Sequence, residues 1–89
     1  MKRVSQIVLR YTAVFEPAEE GGYVVTVPKL PGLTTEGDTF EKAVAMAQDA
    51  IRGYLDILRS SGESLPDPDT TSFTAPIDVS INPHSFGHA

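Results

Sequence analysis

Hydrophobic and polar positions first alternate along this chain and later change period. From Ile7 to Phe15, Ile7, Leu9, Tyr11, Ala13 and Phe15 share one face of an extended chain, and Val8, Arg10, Thr12 and Val14 share the other. Period 2 in β-branched and aromatic residues predicts a strand packed on one side. Glu16 to Gly22 is punctuated by Pro17, Gly21 and Gly22 and reads as a wet loop. Tyr23 to Pro28 predicts a second strand, antiparallel to the first across that loop. Pro28 lacks an amide hydrogen and ends the strand, and Pro31-Gly32 favours a turn. Leu33 to Gly37 then predicts a short third strand, so the first half of the chain is a βββ meander.

At Asp38 the period becomes helical. Phe40, Ala43, Val44, Ala47, Ile51, Tyr54, Leu55 and Leu58 form one apolar stripe, with Glu41, Lys42, Gln48, Asp49, Arg52, Asp56 and Arg59 on the remaining faces. Asp38 is the expected N-cap, with Glu41 completing a capping-box pattern and Thr39 as the other candidate. Arg52 and Asp56 are spaced for an i,i+4 pair. Gly62 marks the stop. A helix of some twenty residues spans about 30 Å, enough to cross a small sheet. After a proline-acid loop, Ile77, Val79 and Ile81 alternate with Asp78 and Ser80, which predicts a fourth strand over Phe73–Ile81, interrupted near its start by Pro76. The expected fold is α+β: a two-layer β-β-β-α-β sandwich with one helix on a mainly antiparallel sheet. Residues 1–81 form the expected single domain, and 82–89 an expected flexible tail.

Composition narrows the function. With 89 residues and 40% hydrophobic content, the chain supports one core and no large enclosed active site. Twelve acids against seven bases give a net charge of −5, which disfavours nucleic-acid binding and attracts a basic partner. The absence of cysteine excludes disulfides, cysteine-ligated zinc and thiol chemistry. No run of apolar residues suits a signal peptide or a membrane span, so a cytoplasmic location with no membrane contact is expected.

The ordered set Tyr11 to Leu55 resembles the HicB-like antitoxin family. The residues that carry the resemblance are the aromatic-containing first strand, the acid and glycine loop, Gly22-Tyr23-Val24-Val25, Pro31-Gly32-Leu33, Gly37-Asp38-Thr39 and the alanine-rich amphipathic helix, followed by Ser61 to Pro68. The resemblance implies a partial RNase H-like fold. It also implies binding to a small basic RNA-cleaving toxin, HicA, whose fold is of the double-stranded-RNA-binding type. Many members carry a C-terminal DNA-binding domain. After Ile81 only eight residues remain here, so a short form without that domain is expected. The expected function is therefore a non-enzymatic module that masks a toxin's active or RNA-binding surface. The alternative is a stand-alone oligomeric domain with no toxin partner. A sheet covered by one helix leaves edges open, so a homo-oligomer, dimer or higher, is expected.

An RNase H-like fold raises the question of metal-holding carboxylates. Asp38 has a structural use as a cap, Asp67 and Asp69 lie in a proline loop, and the first strand offers Arg10 and Thr12 where a nuclease needs an acid. His84 and His88 have i,i+4 spacing, but Pro83 and Gly87 oppose a helix there. Ser60, Ser61 and Ser64 have no neighbouring histidine to act as base, and the glycines form no phosphate-cradling pattern. No catalytic residue, metal or cofactor is expected. Tyr54 belongs to the core stripe with its hydroxyl at the edge. Two stretches have a partner-binding reading beside a structural one. Glu16, Glu19 and Glu20 are either a solvated loop or an acidic contact for a basic protein. Leu30 and Pro31 are either part of a topology-setting bend or an exposed contact loop.

Overall fold

The computed structural model describes residues 7–69 and 73–83. Three short strands, β1 (Val14–Pro17), β2 (Tyr23–Thr26) and β3 (Thr34–Gly37), precede one helix, α1 (Phe40–Ser60). The sheet is antiparallel with β2 in the middle. The two-layer α+β arrangement expected from the pattern is present.

β1 begins seven residues later than the alternation predicts and runs on to Pro17. The register explains this. Val14 faces Thr26 across the β1–β2 ladder, so continuing the pairing backward would oppose Thr12 to Pro28. Pro28 has no amide to donate, and the chain has already turned there. Hydrogen bonds from Leu30 N to Val27 O (2.9 Å) and from Leu33 N to Leu30 O (3.1 Å) define two successive turns, the second built on Pro31-Gly32.

These tandem turns place Val27, Leu30 and Leu33, each three residues from the next, at the inward corners of the bend. All three are buried, and Leu30 is fully so. Tyr11, Ala13, Ala50, Ile51, Tyr54 and Leu55 pack around them. The expectation that Leu30 is exposed for contact is therefore corrected. The bend does set the topology, and it also supplies half of the core.

The other half lies between the sheet and the first turns of the helix, where Val25, Ala43 and Ala47 are buried against Ala13, Phe15 and Tyr23. The two alanines, with Gly37, let helix and sheet approach closely. A Cβ on Gly37 would run into the backbone of Ala43, so β3 passes directly beneath the helix start.

That close approach fixes where α1 begins. Thr39, not Asp38, is the N-cap: its backbone is extended (φ −127°, ψ 166°) and its Oγ1 accepts from Lys42 N at 3.1 Å. Glu41 consequently lies one position short of the capping-box site, still within the first turn where the helix dipole favours an acid. At the other end Glu63 N donates to Leu58 O (2.9 Å) and Gly62 N to Arg59 O (3.1 Å). This is the Schellman pattern that Gly62 predicts. Arg52 pairs with Asp49 (3.4 Å) rather than with Asp56, whose partner is Arg59 (3.5 Å).

The fourth strand does not form. Phe73–Ile81 carries no strand, its residues are exposed, and among the described residues no backbone hydrogen bond joins it to the sheet. A period-2 pattern specifies which residues can share a face but provides no neighbour for the ladder. What does dock is the segment just before it. Asp69 N donates to Arg10 O (2.6 Å), Asp69 Oδ2 accepts from Thr12 N (2.8 Å), and Asp69 Oδ1 meets Lys29 Nζ at 3.1 Å. Tyr11 Oη adds a bond to Pro66 O at 2.6 Å. His84, His88 and the rest of the expected tail beyond Pro83 lie outside the described residues.

Candidate protein-binding site

The side of the sheet away from the helix is open. Period 2 places Phe15, Tyr23, Val25 and Thr35 under the helix and Val14, Glu16, Val24, Thr26, Thr34 and Glu36 on the open face. The ladder aligns Glu16, Val24 and Glu36 in one row across all three strands. A half-buried valine is thus flanked by two exposed carboxylates.

The β1–β2 connection extends this row. Gly21 N bonds to Ala18 O and Ala18 N to Gly22 O, both at 3.0 Å. Glu19 and Glu20 are the two central residues of the resulting tight turn, and both are exposed. Gly22 has φ +77°, and a Cβ there would stand 2.5 Å from Gly37 O. Only glycine allows the base of the hairpin to press against the β3–α1 junction. Between them is a shallow groove of about 270 Å³ lined by Glu20, Tyr23, Glu36 and Asp38 together with Gly21, Gly22 and Gly37.

Five carboxylates, Glu16, Glu19, Glu20, Glu36 and Asp38, therefore surround one end of the sheet. None has an ion-pair partner among the described residues. Lys29 is held by Asp69 near the opposite end, and Arg52 and Arg59 are held by helix acids. Lys42 lies beside Glu36 and Asp38 at the helix start. Unpaired like charges around a concave surface raise the local potential for a cation or a basic protein surface.

The structure brings Glu16, Glu19 and Glu20 together and separates them from Pro31. The Pro31 bend leaves the far end of β2, one strand length away, where its carbonyl accepts from Tyr54 Oη at 2.9 Å. Glu36 and Asp38 are not legible as members of this acidic set from the sequence. The parity of Glu36 with Glu16 exists only through the register, and Asp38 reads as the cap that Thr39 fills.

The remaining chemistry is structural. The Asp69 carboxyl is held below the usual carboxylate range, first by the Thr12 backbone N–H and then by Lys29. The Tyr11 hydroxyl is pushed up by burial, with Asp67 adding to it. Ser60 Oγ donates back to Asp56 O at 2.9 Å within the helix. Among the described residues, no group of three His, Cys, Asp or Glu side chains is placed to hold a metal ion, and no helix is long and apolar enough to cross a membrane.

Comparison with known proteins agrees with this architecture. The sequence model of the HicB-like antitoxin of bacterial toxin–antitoxin systems matches residues 11–79. A UPF0150 protein of Thermoplasma acidophilum is 40% identical over 58 residues, covering 65% of this chain and 84% of that protein. Antitoxin HicB 1 of Photorhabdus laumondii is 42% identical over 60 residues, 67% of this chain and 39% of its own length. Antitoxin HicB of Escherichia coli K12 is 35% identical over 60 residues, 67% of this chain and 44% of its own length. The chain thus spans less than half the length of these two HicB antitoxins. A match from the first aromatic residue of the core, through meander, bend and capped helix, to the extended segment beyond Asp69 identifies the chain as a member of the HicB-like antitoxin family of bacterial toxin–antitoxin systems.

Proposed function

We propose that this chain is an antitoxin module that binds a small basic RNA-cleaving toxin of the HicA-like kind and masks its active or RNA-binding surface. It acts by binding, in the cytoplasm, without catalysis of its own. The observation that carries this reading is the set of five unpaired carboxylates at one end of the sheet, three of which, Glu20, Glu36 and Asp38, line the groove. A toxin that grips RNA must present cations to phosphate, and a surface of carboxylates competes for those cations. The half-buried Val24 between Glu16 and Glu36 gives such a partner an apolar seat inside an acidic rim.

The test measures association with the cognate basic protein at low and high salt. Opposite charges accelerate encounter, and the effect fades as the Debye length falls from about 10 Å at 0.1 M to about 3 Å at 1 M. Changing Glu16, Glu19 and Glu20 together to Gln is expected to slow association several-fold at low salt, and adding Glu36→Gln to slow it further. The melting temperature should barely move, since exposed charges contribute little to folding. Association of the quadruple variant at the wild-type rate in low salt would remove this face as the contact.

A further inference from the structure

We propose that the basic partner's contact continues from the acidic end of the sheet onto the flank of α1, where Met46, Gly53 and Ile57 receive an apolar segment that lies beside the partner's cations. The inference rests on the antitoxin reading above and adds the apolar half of the partner's surface.

Helix α1 carries two apolar stripes and buries one. The first, with Ala43 and Ala47, meets the sheet and the bend. The second consists of Met46, Ala50, Gly53 and Ile57, whose spacings of 4, 3 and 4 residues set them in one row along the helix. Ala50 borders the core, but Met46 is 47% exposed and Ile57 68%. Neither of these two belongs to a core cluster. Single exposed apolar residues are ordinary. The glycine inside this row is not, because glycine weakens a helix interior relative to alanine. Gly53 also has no use within its own chain, since a Cβ there would meet no atom within 4 Å. What a missing side chain does allow is the close approach of another backbone.

The row begins where the acidic end stops. Met46, Ala45 and Lys42 line an open groove of about 410 Å³ together with Glu36, Gly37 and Asp38. The last three also line the groove at the base of the hairpin. The two grooves therefore adjoin at the β3–α1 junction, with Glu36 and Asp38 between them. From there to Ile57 the row runs about 16 Å along the helix.

Charge selects the occupant. Glu36 and Asp38 have no ion-pair partner among the described residues, and a segment seated against Met46 brings its neighbouring cations within their reach. The unbranched thioether of Met46 adapts to an apolar side chain of irregular shape. A second copy of this chain would bring a net charge of −5 to meet the same charge. A neutral apolar segment would leave both carboxylates uncompensated. In interfaces of this kind the charges govern encounter, and a few apolar anchors govern how long the complex lasts.

The probe is the purified HicA-like toxin, with association and dissociation rates measured separately on the full chain. Met46→Ser and Gly53→Gln are each expected to speed dissociation roughly tenfold, the effect of losing one anchor, with little change in association. Gln48→Ala, on the far side of the helix, should change neither rate. Gly53→Gln should leave the free chain melting no lower than wild type, because glutamine is the better helix former and open space receives it. The chain has no cysteine, so a photoreactive group can be attached at one site alone. On Met46→Cys it should cross-link to the toxin, and on Gln48→Cys it should not. Failure of the antitoxin reading shows as a wild-type chain that forms no complex, and this inference falls with it. Failure of this inference alone shows as a complex slowed in forming by the carboxylate substitutions but equally long-lived with Met46→Ser and Gly53→Gln. Cross-linking from position 48 in place of 46 overturns it as well. So does a dimer of the free chain that Gly53→Gln dissolves, which would give the flank to a second copy.

Discussion

Replacing Leu30 with Ala tests the central packing claim, because the residue lies in a bend that reads as surface. Its side chain is fully buried among Val27, Leu33 and the Ala50–Leu55 stretch of the helix. Truncating a buried leucine loses transfer free energy and leaves a cavity, at a cost of about 2–5 kcal/mol. The upper half of that range applies if the site cannot collapse. The two turn hydrogen bonds at residue 30 pin its backbone on both sides, which limits relaxation and favours a value of about 3–4 kcal/mol. At roughly 0.05–0.15 kcal/mol per residue, the whole fold holds on the order of 4–13 kcal/mol, so one substitution removes a large share. In a domain of this size each kcal/mol shifts the melting temperature by about 4–8 °C, which gives a fall of at least 12 °C or so. Pro31→Ala, one residue along but exposed, should cost at most about 1 kcal/mol, chiefly through a more flexible unfolded chain. Urea unfolding followed by circular dichroism, at one fixed protein concentration, separates the two variants. If Leu30→Ala costs no more than Pro31→Ala, the side chain is not in the core and the bend is free to serve as a contact loop.

Two further outcomes follow from individual contacts. The folded-state value of the Asp69 carboxyl lies below its ordinary 3.8, so its contribution is present above that value and is lost as pH falls through the lower folded one. Asp69→Asn should therefore be less stable than wild type at neutral pH, and the two thermal midpoints should converge in strong acid. A constant gap across that range would show that the charge is not what matters. Gly37→Ala and Gly53→Ala should move stability in opposite directions. A Cβ at Gly37 would stand 2.6 Å from Ala43 Cα, whereas Gly53 has open space. Overpacking at Gly37 costs about 1–3 kcal/mol, and relief of the helix-interior glycine gains up to about 1 kcal/mol, both readable from urea midpoints.

The sequence alone determined the elements whose hydrogen bonds are local. α1 was legible from its stripe and from Gly62, because each helical bond reaches only four residues back and each capping bond closes within a turn. The hairpin order and the Pro31-Gly32 turn were legible for the same reason. Tertiary structure decided whatever depended on a distant neighbour. Residues 7–13 alternate as well as any strand, but the chain they would pair with turns away at Pro28. Phe73–Ile81 alternates too and has no strand partner among the described residues. Thr39 caps the helix in place of Asp38 because the approach of Gly37 to Ala43 sets where helical backbone can begin. Leu30 reads as a loop residue until two successive turns point it inward. Glu36 joins Glu16 only when the register of two ladders is known. A periodic pattern states which side chains can share a face, and long-range pairing determines whether that face exists and what lies beside it.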